Sequence, residues 1–225
     1  MQLENILDGI HVSVTRRRSM QLFTVFTRIL LAVAFTPPSI TKILHKPFTV
    51  LPDSNPVGHY FNALYETGFY YEFLGWAQLT AAVLLLFPRT AHLGALMFLP
   101  IIVNIAVLTT SVGFKGTWVL TILMSLAGTW LVAWEYDRLK QILFGKRAVR
   151  TRDLPLQFIT VPIFFGAGGV VMAVLWKLIG LGNFSNYFNI GLFLTGIGIA
   201  FGLVVALHYR FMRVGNLESV DEGLQ

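Results

Sequence analysis

The sequence predicts an all-α integral membrane protein of six spans: a four-helix bundle followed by a C-terminal pair, with both termini cytoplasmic. Three observations carry this. Of 225 residues, 55% are hydrophobic and 12% charged, against roughly a quarter charged in an ordinary soluble domain. The apolar residues gather in six runs, each near the ~20 residues a helix needs to cross a bilayer. Lysine and arginine fall mostly on one side of those runs, as the positive-inside bias requires. The chain has no cysteine, which excludes disulfide frameworks, thiolate metal sites and CxxC redox chemistry.

Taken in order, residues 1–20 form a cytoplasmic segment. Leu3, Ile6, Leu7, Ile10 and Val14 recur there at helical spacing, which suits a short interfacial helix. A cleaved leader fits poorly, because Ala32-Val33-Ala34 lies inside the apolar run and Arg28 splits its core. The spans follow at 21–43, 68–87, 91–111, 117–135, 156–178 and 187–209. Pro37-Pro38 predicts a kink or break near Thr36, since proline removes a backbone donor and disfavours helix at the residue before it. The four-span unit covers 21–143, a basic linker 144–155, the two-span hairpin 156–210 and a cytoplasmic tail 211–225, whose end from Glu218 is acidic and expected to be disordered.

With the N-terminus inside, twelve basic residues lie on the cytoplasmic side: Arg16, Arg17, Arg18, Arg89, Arg138, Lys140, Lys146, Arg147, Arg150, Arg152, Arg210 and Arg213. Four lie outside: Lys42, Lys46, Lys115 and Lys177. The cell membrane is the expected location. The net charge of +6 is thus topological and implies no nucleic acid, though it favours anionic lipid heads.

Arg28 stands out, because an arginine in mid-bilayer costs at least roughly 2.5–3.5 kcal/mol. At about 1.5 Å per residue it lies a few ångströms cytoplasmic of its span's midpoint, and its side chain leans further that way. Gln78 and Asn104 lie near the middles of the second and third spans, so Gln78 is the expected neutral partner of Arg28. Glu72 lies near the outer interface and suits Lys42. These five residues, Arg28, Lys42, Glu72, Gln78 and Asn104, form the candidate ligand-binding polar pocket, with Ser111 able to close it beside Asn104. Thr117, Thr121, Ser125 and Thr129 share one face of the fourth span, where bonding to their own helix carbonyls is the expected use. No catalytic residue and no metal site is assigned. His45 and His59, in the outer loop from His45 to Thr67, lack ligand spacing, and the aromatic residues around them suit the membrane interface.

The hairpin spans carry glycine instead of charge. Gly198 and Gly202 form a GxxxG pair that permits close helix approach, either within the monomer or in a homo-oligomer.

Two stretches resemble the DoxX-like membrane protein family over residues 20–143. RILLAVAFTPPSITKILHKPF sets Lys42 fourteen positions after Arg28, with Ser39 where that family often has glycine. FLGWAQLTAAVLLLFPRTAHLGAL is similar to the family's second helix and its turn, with Gln78 where a glutamate is frequent. The resemblance implies a four-helix membrane bundle, and association with quinone-linked oxidation, membrane redox complexes or receptor assembly. Three functions follow as expectations. The first is an accessory or interaction subunit without independent catalysis, bound to other membrane subunits. The second is a membrane subunit of a quinone-coupled oxidoreductase, with quinone as its cofactor. The third is a small-molecule transporter, for which a broken first span would speak.

Overall fold

The structure, a computed structural model, describes residues 2–144, 158–179 and 187–211. The linker after Phe144 and the tail after Phe211 lie outside the described residues. The described residues form helices and no strand. They are α1 (Gln2–Thr15), α2 (Arg18–Ile43), α3 (Pro56–Glu66), α4 (Phe69–Leu86), α5 (Ala91–Ser111), α6 (Thr117–Trp134), α7 (Tyr136–Phe144), α8 (Thr160–Ile179) and α9 (Tyr187–Phe211). Six of them, α2, α4, α5, α6, α8 and α9, are long and apolar enough to cross a membrane.

Helices α1–α7 fall in one compact unit and α8–α9 in another. In the first, α2, α4, α5 and α6 pack as a ring, each against the next and α6 back against α2. The core inside that ring comprises Leu31, Ala32 and Phe35 of α2, Ala81, Ala82 and Leu85 of α4, Ala95, Phe98 and Ile102 of α5, and Leu131 of α6. Phe35 and Phe98 meet at its centre, ring centroids 4.1 Å apart. Alanine and glycine set how closely the helices approach. A Cβ on Gly75 would lie 2.8 Å from Lys42 Cβ and 2.9 Å from Ser39 O, so α4 touches α2 backbone to backbone there. Outward faces carry Phe23, Leu30, Phe73, Trp76, Val107 and Leu126 exposed, as a lipid-facing surface requires.

Two elements lie outside the sequence-based reading. The stretch taken as an outer loop contains α3, which starts where Asn55 caps Val57 N at 2.9 Å and Pro56 supplies a pre-set first turn. The residues between the fourth span and the basic linker form α7. The expected break at Pro37-Pro38 is corrected: α2 runs through both prolines. Around them the side chains bond to the helix carbonyls, Thr36 Oγ1 to Ala32 O at 2.8 Å, Ser39 Oγ to Phe35 O at 2.5 Å and Thr41 Oγ1 to Pro37 O at 3.0 Å. These bonds flank the two carbonyls, Val33 and Ala34, that lose their i+4 amide donors to Pro37 and Pro38, and they tie the hydroxyls to the helix on either side of them.

In the second unit, α8 and α9 form a tight pair. A Cβ on Gly202 would lie 2.6 Å from Pro162 Cα, and one on Gly198 would overlap Phe165 O. Both glycines therefore face α8, which is the first of the two uses expected of the pair, close packing within the chain.

Candidate functional site

Two polar centres occupy opposite ends of the four-helix ring. The first is built on Arg28, 2% exposed in the middle of α2. Its guanidinium ion-pairs with Glu135 Oε1 at the end of α6. Glu135 Oε2 lies 3.2 Å from Arg138 of α7, and Arg138 also meets Nδ1 of His92, at the start of α5, at 2.5 Å. A chain of charge thus ties α2, α5, α6 and α7 together. Beside it, Trp130 Nε1 donates to Thr24 Oγ1 at 3.1 Å, a second tie between α6 and α2.

The expected pairing of Arg28 with Gln78 is therefore corrected. A guanidinium on a flexible stem reaches back along its helix to the ring's end rather than across at its own depth. Glu135, Arg138 and His92 were missed. The available signal was Glu135 itself, the only acidic residue between Glu72 and Asp137, following the span that returns to Arg28's end.

The second centre lies where the C-terminal end of α2 meets the start of α4. Lys42, 6% exposed, donates from Nζ to Pro38 O at 3.2 Å and faces the rings of Phe48 and Tyr71, with centroids at 5.0 and 6.0 Å. The expected Lys42–Glu72 pair is corrected: Glu72 Oε1 lies 3.3 Å from His45 Nδ1, both side chains being half-exposed. His45 has a left-handed backbone, φ 50°. It closes α2 in a Schellman-type turn, with Lys46 N donating to Thr41 O at 3.0 Å, a position usually taken by glycine. Its ring packs at a tilt against that of Tyr65, centroids 4.9 Å apart.

Of the five residues expected to share a pocket, Lys42 and Gln78 lie on the facing sides of α2 and α4, and Glu72 sits above them with His45. Arg28 is committed at the other end. Asn104 is exposed on α5 and Ser111, also exposed, bonds Val107 O at 2.8 Å, so neither closes the interior. The hydroxyls of α6 behave as expected: Thr121, Ser125 and Thr129 bond carbonyls four residues back, and Thr121 additionally meets Thr109 of α5 at 2.9 Å. Among the described residues no group of three or more acidic and histidine side chains is arranged to hold a metal ion.

Six apolar helices with polar side chains held inside a ring of four define a multi-pass helical membrane protein. In sequence the chain is similar to uncharacterized protein YwoB of Bacillus subtilis (strain 168), with 43% identity over 61 residues. That match covers 26% of this chain and 40% of that protein. No family model and no solved structure matches the chain.

Proposed function

We propose that the chain is a membrane protein of the DoxX-like type, with both termini cytoplasmic, that serves as an accessory or interaction subunit and performs no turnover chemistry of its own. The observation that supports this reading is the commitment of Arg28. The charge that would have anchored a ligand in the bundle is joined to Glu135, and through Arg138 to His92, where it holds helices together. The proposed orientation rests on Arg16, Arg17, Arg18, Arg89, Arg138 and Lys140, which all lie at the Arg28–Glu135 end of the ring or on the segments leading into it.

The quinone-pocket reading drew on Arg28, Gln78 and Asn104 as hydrogen-bond donors to a quinone carbonyl; the ion pair of Arg28 with Glu135 and the exposure of Asn104 on α5 favour the accessory reading over it. The transporter reading drew on a broken first span, and α2 is unbroken.

Native mass spectrometry of the full chain, released with its own lipids, tests the proposal. A second polypeptide that stays bound is the expected result. A monomer that holds no polypeptide partner and oxidises or reduces an added quinone contradicts it.

A further inference from the structure

Lys42 and Gln78 are buried polar side chains that the fold leaves chemically incomplete. Lys42 carries a positive charge with no carboxylate paired to it among the described residues. Its ammonium bonds one carbonyl of its own helix, at 3.2 Å, and otherwise faces two aromatic rings. Gln78 is 4% exposed, and its Oε1 is buried with no hydrogen-bond partner. Such groups are normally satisfied, and the exceptions call for a reason.

Their positions are related. Gly75 brings α4 against α2 at Ser39 and Lys42, and Gln78 follows Gly75 by one turn on the same buried face. Helical side chains lean toward the N-terminus of their own helix. Because α2 and α4 run in opposite directions, Lys42 leans down and Gln78 leans up, toward one layer between them. No direct hydrogen bond joins them. That layer offers unused ammonium donors on one side and a bare acceptor on the other, beside the rings of Phe48 and Tyr71.

We infer that Lys42 and Gln78, between α2 and α4, bind the hydroxyl of an apolar phenol. A hydroxyl oxygen accepts from the ammonium while its hydrogen is donated to Gln78 Oε1, so one atom completes both groups. A carboxylate or a bare carbonyl accepts only, and leaves Oε1 unsatisfied. An aliphatic alcohol has the right pattern, but a phenol is the more acidic hydroxyl and gains more from the ammonium. Lys42 already faces the rings of Phe48 and Tyr71, at 5.0 and 6.0 Å, so an aromatic ligand would join aromatic neighbours there. The site is independent of the accessory role proposed above, since it uses neither Arg28 nor any surface for a partner.

The test uses the full chain in phospholipid nanodiscs, titrated with 4-nonylphenol, then with nonylbenzene and nonanoic acid. The expected result is saturable binding of nonylphenol, with nonylbenzene weaker by about tenfold or more, the size of one hydrogen bond in a dry site. Gln78→Leu lowers nonylphenol affinity by about tenfold, and it leaves the fold intact because Oε1 has no partner in the protein to lose. Lys42→Met lowers it at least as much. Equal binding of nonylbenzene, or an unchanged affinity in Gln78→Leu, overturns the proposal and leaves water as the occupant. Nonanoic acid binding more tightly than the phenol also overturns it, in favour of a simple anion site at Lys42.

Discussion

Arg28 marks how far single residues could be read from sequence. Its burial in the bundle was legible, because a guanidinium in an apolar run has to face inward. Its partner was not, because depth arithmetic on backbones ignores the reach of two long side chains toward the same end of the ring. The same limit explains Lys42 and Glu72: His45, held in a left-handed turn, takes the carboxylate first. The close approach at Gly198 and Gly202 was legible from their GxxxG spacing, whereas that at the isolated Gly75 was not. Gly75→Ala forces a methyl against the Ser39 carbonyl and Lys42 Cβ, and we expect a loss of about 1–3 kcal/mol. Gly168→Ala in α8 is the control, since nothing lies within 4 Å of its Cβ position. There the change should be neutral or stabilising by up to about 1 kcal/mol. Thermal unfolding in detergent separates the two.

Among the elements, α1 was legible from the spacing of Ile6, Leu7 and Ile10, whereas α7 was not, since Arg138 and Lys140 were counted only as cytoplasmic charge after the fourth span. The two helices belong together. Lys140 donates to Asp8 Oδ2 at 2.5 Å, His11 packs on the ring of Tyr136 at 5.5 Å, and Gln21 fixes the elbow by donating to Thr15 O at 2.8 Å. Burial holds His11 below the ordinary histidine value of 6.5, against a smaller opposing pull from Asp137, Asp8 and Glu135. The docked helix therefore prefers neutral His11. As pH falls through the ordinary value toward the lower docked one, the free helix gains a proton that the docked helix resists, and docking weakens. Protection of the α1 amides, the observed exchange rate divided into the intrinsic rate at the same pH, should be lower at about pH 5 than at about pH 7.5, and His11→Phe should flatten that dependence. An exchange rate in the wild type that tracks only the intrinsic chemistry of the amide would count against this coupling.

At the scale of the molecule, six spans were legible because hydropathy and length are nearly sufficient to find them. Which helices neighbour one another was not, since an apolar run does not name its partner. The ring α2–α4–α5–α6 is specified by small residues at contact points and by the charges joining its ends. Our central claim is that the buried charge of Arg28 serves this architecture. Double-mutant unfolding measurements on Arg28→Met, Glu135→Leu and the combined variant test it most directly. Each single change leaves a buried charge without its main partner and should cost about 3–5 kcal/mol, whereas the combined change replaces the pair with apolar side chains and should recover most of that loss. Losses that simply add in the combined variant would contradict the claim, because they would mean that Arg28 and Glu135 contribute independently and the pair does not tie the bundle together.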